Sequence, residues 1–124
     1  MPTIKSYTDL EQSKILSEIL PLESADMYYF RQIDNDYFPP NVKSICPIPL
    51  YKDGKEDFNY DIRCWSLAAL LSVLPNIINN GTLFIETSAA LWHIGYRNIY
   101  IIRTENLVDA CYELILKLNK LNLL

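Results

Sequence analysis

A regular apolar pattern near the carboxy terminus limits how this chain can fold more than any other feature. Leu107, Cys111, Leu114, Leu118 and Leu121 follow one another at spacings of four, three, four and three residues. This spacing puts all five side chains on one side of an α-helix, and that side must be covered by another apolar surface. We therefore predict a helix from about residue 104 to about residue 121. Its stripe serves either the core or a seam between two copies, and its length of barely two heptads favours the core.

The segment from Cys64 to Leu74 is a second predicted helix, and it is apolar on almost every side. A helix without a polar face belongs in the middle of a core. Pro75 ends it, because proline has no N–H to donate and disfavours helical backbone at the preceding residue. The turn-forming sequence Asn79-Asn80-Gly81 follows.

A third predicted helix lies near the amino terminus. Thr8 and Glu11 have the spacing of a capping box, in which each side chain accepts a hydrogen bond from a backbone N–H at the start of a helix. Pro21 ends the helix. Its predicted apolar face consists of Leu10, Ile15, Leu16, Ile19 and Leu20.

Four segments have the composition of β-strands. The first runs from Ala25 to Ile33, and the others are residues 82–87, 90–96 and 98–104. Because the breaks between the last three are too short for crossover helices, these strands should form an antiparallel meander. Gly95 interrupts the second of them and marks a bulge or a turn.

Residues 36–61 are less regular, with several prolines and the turn signal Asp53-Gly54 between two apolar stretches. Short strands and an ordered surface loop both fit this segment. Taken together, the elements predict an α+β fold: an antiparallel sheet of about three to five strands with three helices packed as a single layer on one face. The 124 residues fit a single domain spanning residues 1–124.

The formal net charge of −4 is unevenly distributed along the chain. Residues 1–62 carry six Lys/Arg and eleven Asp/Glu, whereas residues 63–124 carry five and four. No cluster of Lys/Arg is available to neutralise a row of phosphates, so nucleic acid is not an expected partner. No apolar stretch reaches the length of about twenty residues that a membrane span needs, and the amino terminus does not resemble a secretory signal. These features predict a cytoplasmic protein with reduced thiols.

The residues that enzymes use most often are sparse here. The three glycines, Gly54, Gly81 and Gly95, are too few and too scattered for a phosphate-binding loop. The three cysteines are widely spaced and form neither a disulfide framework nor a zinc motif. We therefore expect no cofactor and no metal, and a role without catalysis is favoured.

Two side chains keep an alternative open, namely a small-molecule site or a minor enzyme with a pocket near Cys64 and His93. Cys64 precedes the second predicted helix, whose amino-terminal end would favour a thiolate. His93 is the only histidine and would be the natural base for acyl transfer, although no nucleophile motif accompanies it. Both residues fit equally well as part of a core.

The aromatic residues of the acidic half are the strongest indication of a contact surface. Tyrosine and phenylalanine provide a large contact area at a low cost in conformational entropy, so they are enriched at binding surfaces. We expect a protein partner for this region, residues 28–60, and leave a monomer and a homodimer both open. The candidate binding residues are Tyr28, Tyr37, Phe38, Tyr51 and Tyr60.

Three stretches of the chain also carry a family resemblance. They are the segment from Tyr7 to Met27, the sequence Cys64-Trp65-Ser66-Leu67-Ala68-Ala69-Leu70-Leu71 with Leu74-Pro75, and the sequence from Val108 to Ile115. In these stretches the chain resembles a family of small uncharacterised proteins of bacterial and bacteriophage genomes. The resemblance implies a compact accessory protein and assigns no functional residue.

Overall fold

The computed structural model describes residues 5–29, 48–52, 62–97 and 100–124, which form three α-helices and seven β-strands. A short 3₁₀ turn at Leu22–Ser24 precedes the first strand. The elements in chain order are α1 Leu10–Ser17, β1 Met27–Tyr29, β2 Leu50–Tyr51, β3 Ile62–Cys64, α2 Leu67–Val73, β4 Ile77–Ile78, β5 Gly81–Ser88, β6 Leu91–Tyr96, β7 Tyr100–Thr104 and α3 Leu107–Lys120.

The α+β prediction is confirmed, with three helices and antiparallel strands. The strands are divided between two sheets where the sequence predicted one: a three-stranded sheet of order β2-β1-β3 and a four-stranded sheet of order β4-β5-β6-β7. The smaller sheet arises because Met27 pairs with both Tyr51 and Cys64, which are distant in sequence. Pairing between such distant segments leaves no local signal in the sequence.

The chain divides into two compact units. The first, called here the meander unit, consists of Met1–Thr8 and Ser66–Leu124 and contains the four-stranded sheet with α2 and α3. The second, called here the amino-terminal unit, is Asp9–Trp65 and contains α1 and the three-stranded sheet. The single domain expected from the chain length stays a prediction.

In the meander unit the sequence pattern and the structure agree closely. β5, β6 and β7 form the predicted antiparallel meander, and α3 lies against β6, β7 and α2. Asn79 and Asn80 form the predicted turn, both with the positive φ that a tight hairpin connection requires. The predicted stripe of α3 is buried over most of its length; its fully buried residues are Val108, Ala110, Cys111, Leu114, Ile115 and Leu118. Core packing is therefore the use of this stripe.

The second predicted helix begins later than the sequence indicated. Cys64 belongs to strand β3, and α2 begins at Leu67 because the Ser66 side chain accepts a hydrogen bond from the N–H of Ala69 at 3.2 Å. The prediction of a helix buried on all sides was also wrong, since Ala68 is exposed. Alanine side chains are small enough to leave one face of an apolar helix in solvent at little cost.

The first helix has its capping box one residue later than predicted. Asp9 Oδ1 accepts from the N–H of Gln12 at 2.9 Å, and Gln12 Oε1 accepts from the N–H of Asp9 at 3.1 Å. Thr8 is fully buried, whereas the exposed Asp9 offers a charged acceptor to the free N–H groups. Ile15 is exposed and Ser13 is buried, in contrast to the predicted apolar face.

Candidate functional site

Three large apolar side chains that are close together in the chain are exposed. Two belong to strand β2, and the third is Ile48, just before this strand. Ile48 is 64% exposed, Leu50 46% and Tyr51 67%. We call Ile48, Leu50 and Tyr51 the β2 surface. A single exposed apolar residue is ordinary, but a cluster of three within four residues is the kind of surface that contacts another molecule.

The pairing of β1 with β2 places the two described tyrosine candidates on opposite faces of the small sheet. Tyr28 lies opposite Leu50, whereas Tyr51 lies opposite Met27. Since residues directly opposite each other share a face and neighbours along a strand alternate, Tyr28 shares its face with Leu50 and not with Tyr51. Leu50 and Tyr51 therefore lie on opposite faces of β2, and a partner contacts both only by binding around the outer edge of this strand. Tyr28 is half-buried, so Tyr51 provides much more of the available aromatic surface.

The other predicted binding residues, Tyr37, Phe38 and Tyr60, lie outside the described residues. Sequence reasoning missed Ile48 and Leu50, which it assigned to no role. The signal was present, because Pro47 and Pro49 flank Ile48 and proline is confined to edge strands or strand ends. An edge position leaves side chains exposed that a central strand would bury.

The backbone after Tyr51 is fixed to the segment that precedes β1. The N–H of Lys52 donates to the carbonyl of Asp26 at 3.0 Å, and Lys52 Nζ donates to the carbonyl of Glu23 at 3.4 Å. The backbone bond continues the ladder between β1 and β2 by one step, and the bond from the Lys52 side chain adds a second link. They hold the β2 surface in a defined position relative to β1.

A buried tryptophan supports the same unit from inside. Trp65 is fully buried, and its Nε1–H donates to Ser24 Oγ at 2.9 Å. Ser24 Oγ in turn donates to the carbonyl of Pro21 at 2.5 Å. The indole therefore fixes the 3₁₀ turn that leads into β1.

Cys64 does not present its thiol to solvent. It is fully buried in β3, opposite Met27 in β1. The proposed activation by a helix end also fails, because α2 begins at Leu67 and Cys64 is extended strand. Its environment is that of a packed apolar side chain.

His93 lies in the centre of β6, between Glu86 of β5 and Arg103 of β7. Its Nε2 is 3.4 Å from the carbonyl oxygen of Ser88. The ring is half-buried and faces a polar cross-strand row. The cross-strand neighbours of His93, Glu86 and Arg103, carry neither a hydroxyl nor a thiol group.

A shallow depression of about 330 Å³ lies at the carboxy-terminal end of α3. It is lined by Leu116, Lys117, Lys120 and Leu121. The ammonium of Lys117 lies 5.2 Å from the centre of the Tyr100 ring, a cation–π distance. The residues that line the depression offer two ammonium groups and no carboxylate, imidazole or thiol.

Burial raises the pKa of two side chains in the meander unit. It raises the pKa of the Cys111 thiol to about 12 and that of the Tyr96 phenol to about 12. The Tyr96 hydroxyl donates to the carbonyl of Pro75 at 2.6 Å. Both groups are therefore neutral near pH 7 and belong to the core.

Within the described ranges, no group of three or more His, Cys, Asp or Glu side chains is arranged to hold a metal ion. None of the helices in those ranges has both the length and the apolar character that crossing a membrane requires. No protein-family model, curated protein or solved structure matches the chain.

Proposed function

We propose that this protein is a non-enzymatic binding module that recognises a protein partner through the β2 surface, within the acidic, tyrosine-rich region of residues 28–60. The exposure of three large apolar side chains, Ile48, Leu50 and Tyr51, along the outer strand of the small sheet is the observation that carries the proposal, and the partner binds around the edge of β2 so that it contacts Leu50 on one face and Tyr51 on the other. A few well-packed side chains, with tyrosine prominent among them, provide most of the binding free energy at protein interfaces.

The chemistry of the remaining candidates supports a role without catalysis. The thiol of Cys64 is enclosed in the amino-terminal unit, and the residues paired with His93, Glu86 and Arg103, carry neither a hydroxyl nor a thiol group. The net charge of −5 over residues 1–62, from six basic and eleven acidic residues, favours a partner with a basic or neutral surface. A cytoplasmic accessory protein of bacterial or bacteriophage origin is the setting that the sequence resemblance implies.

A photo-crosslinking experiment tests the proposal directly. A benzophenone amino acid is placed at position 51 in one variant and at position 77 in another, because Ile77 is 63% exposed but lies in β4 of the meander unit. We expect a discrete crosslinked protein from position 51 and not from position 77. The same crosslink should weaken in the variant Ile48→Ala.

Folding must be unchanged for this comparison to hold. Because Ile48 and Tyr51 are exposed, their replacement by alanine should change the free energy of unfolding by no more than about 0.5 kcal/mol. Equal crosslinking from positions 51 and 77, or a crosslink at 51 that Ile48→Ala leaves intact, would contradict the proposal. Strong destabilisation by Tyr51→Ala would assign that side chain to the core instead.

Thiol labelling separates this proposal from the Cys64 alternative. In a Cys46→Ser background, the remaining thiols, Cys64 and Cys111, are both fully buried. We expect neither to react with a thiol reagent until the protein unfolds, with labelling following the unfolding transition. Rapid labelling of native protein that is abolished by Cys64→Ala would support the enzymatic alternative.

A further inference from the structure

Strand β5 of the meander unit has one edge that is covered only at its beginning. On one side, β6 pairs with β5 from Leu83 to Ser88. On the other side, β4 pairs only with Gly81 and Thr82. Beyond these residues, no described strand lies along the second edge of β5.

The hydrogen bonds at the start of β5 show which backbone groups point outward. The N–H of Leu83 donates to Asn76 on the β4 side, and the carbonyl of Thr82 accepts from Arg97 on the β6 side. Backbone groups of successive residues in a strand point to alternate edges. The N–H and C=O groups of Ile85 and Thr87 therefore point away from β6, toward the uncovered edge.

The side chains along this edge are accessible as well. Ile85 is 39% exposed, and Glu86, Thr87 and Ser88 are all exposed. Exposed edges with β-forming residues accept further strands unless a charge or a proline prevents it. Here the one charge is Glu86, which has no ion-pair partner among the residues that the structure describes.

A second copy of this chain fits the edge poorly. In an antiparallel pair of β5 strands, the outward N–H and C=O groups of both Ile85 and Thr87 form hydrogen bonds only when Ile85 of each copy lies opposite Thr87 of the other. In that register Glu86 lies directly opposite Glu86 of the other copy. The two residues form a non-hydrogen-bonded pair, in which the strands are closest, so their carboxylates repel each other. A register centred on Ile85 instead would put Thr87 opposite Leu83, whose N–H already donates to Asn76.

We infer that the open edge of β5 binds an extended segment of another protein that carries Lys or Arg opposite Glu86. The backbone of the segment bonds Ile85 and Thr87, and its basic side chain pairs with the Glu86 carboxylate. The same carboxylate that repels a second copy thus selects a basic partner. This interface lies in the meander unit and does not depend on the β2 surface.

Synthetic peptides test this inference. The probes are a short β-forming peptide of alternating Val and Thr with one central Lys, and a matched peptide with Glu at that position. Amide hydrogen exchange, followed residue by residue with NMR, is the readout. We expect the Lys peptide to slow exchange of the Ile85 and Thr87 amides, while the Phe84 and Glu86 amides, already bonded to β6, change little. No slowing with the Lys peptide, or equal slowing with both peptides, would overturn the inference.

Two variants identify the groups responsible. Glu86→Lys should reverse the preference, so that the Glu peptide binds more tightly than the Lys peptide by up to about fivefold. Thr87→Pro removes an outward N–H while leaving the bonds to β6 in place. It should lower the affinity for the Lys peptide by about fivefold. Unchanged preference in Glu86→Lys would contradict the charge assignment even if Thr87→Pro does not fold.

The oligomeric state provides an independent check. Glu86→Val removes the repulsion between copies, so this variant should dimerise at concentrations where the wild-type chain does not, as measured by sedimentation velocity. Adding Thr87→Pro should return it to the wild-type state. A wild-type dimer that Thr87→Pro dissociates would show that the edge accepts its own copy and would overturn the inference.

Discussion

The backbone of Tyr100 passes so close to Gly95 that no other residue fits at position 95. A Cβ atom built on Gly95 would lie 1.7 Å from the carbonyl oxygen of Tyr100 and 3.0 Å from the Cα atom of Ile101. The obstructing atoms are backbone and cannot rotate away. The glycine therefore permits the close pairing of β6 with β7 on which α3 packs.

Gly95→Ala should destabilise the protein strongly. The strands must separate or distort to admit the methyl group, at a cost on the order of 3 kcal/mol or more. Urea unfolding measures the change, with Thr82→Ala, at an exposed position of β5, as a control that should shift stability by less than about 1 kcal/mol. A small effect of Gly95→Ala would mean that β6 and β7 are farther apart than the structure shows.

The start of α3 is tied to the amino-terminal segment through Asp109. Asp109 Oδ1 accepts from Lys5 Nζ at 2.8 Å, while Oδ2 accepts from Asn106 Nδ2 at 2.7 Å. Asn106 Oδ1 in turn accepts from the N–H of Asp109 at 2.8 Å and caps the helix. One carboxylate thus supports both the cap and the ion pair.

Asp109→Ala should cost about 1 to 2 kcal/mol, because it removes the ion pair and a negative charge from the first turn of the helix. Lys5→Ala should cost less, about 0.2 to 1 kcal/mol, since both partners are partly exposed. A double-mutant cycle measured by urea unfolding gives the coupling between them. Full additivity of the two changes would show that the ion pair contributes nothing.

The α3 helix and the meander could be predicted from the sequence because their signals are local. The four-three spacing of Leu107 to Leu121 requires no knowledge of distant residues, and neither does the Asn79-Asn80-Gly81 turn. The limits of α1 and α2 were less accurate. At α2 the cap is Ser66, two residues after the predicted start, and at α1 two adjacent capping residues compete and burial decides between them. Thr8 is buried and Asp9 is exposed, so the charged side chain forms the cap.

The small sheet and the β2 surface could not be predicted in the same way. The pairing of Met27 with Tyr51 and Cys64 joins segments far apart in the chain, and composition does not encode such a register. The contact role that the sequence predicts for Tyr51 from its aromatic character stays a prediction, and the structure shows that this side chain is exposed. The sequence did not indicate Ile48 and Leu50, whose exposure follows from the edge position of β2.

Stability should fall at alkaline pH because of Cys111 and Tyr96. Burial raises the pKa of Cys111 from 9.0 to about 12 and that of Tyr96 from 10.0 to about 12. Above about pH 9 the unfolded chain releases protons that the folded chain retains, so ionisation favours unfolding. The stability contribution is complete below the pKa of the unfolded state and is lost as the pH rises toward 12.

Between pH 9 and pH 12, the free energy of unfolding should fall less steeply with pH in Cys111→Ala, by a slope that corresponds to about one proton. The measurement is the free energy of unfolding in urea as a function of pH, and the slope is compared because the substitution also removes packing. Ile115→Val, a fully buried change on the same helix, is the matched control and should keep the wild-type slope. Equal slopes in the two variants would mean that the thiol is solvated in the folded protein.

Ser24→Ala should remove the hydrogen bond that the buried indole N–H of Trp65 donates to Ser24 Oγ. An unsatisfied buried donor costs about 1 to 3 kcal/mol, and Ser24→Thr should keep part of the bond. Ser72→Ala is the control, because the Ser72 hydroxyl bonds the Ala68 carbonyl on an exposed helix face. Urea unfolding of a Trp92→Phe background reports the change through Trp65 fluorescence alone. Similar losses from Ser24→Ala and Ser72→Ala would contradict this role.

The turn between β5 and β6 is built from residues that disfavour its backbone. Ala89 and Ala90 have φ of 53° and 63°, a left-handed conformation that costs alanine free energy. The corresponding turn between β4 and β5 uses Asn79 and Asn80, which tolerate it. Ala89→Asn with Ala90→Gly supplies the residues that such hairpin turns prefer.

We expect the Asn-Gly variant to raise the free energy of unfolding by about 1 kcal/mol, because it relieves the strain at both positions. Thermal and urea unfolding measure the gain. The reverse change, Asn79→Ala with Asn80→Ala, is the matched control and should lower stability by a similar amount. A loss of stability in the Asn-Gly variant would show that the turn has a different backbone, because glycine stabilises a hairpin only where the native φ is positive.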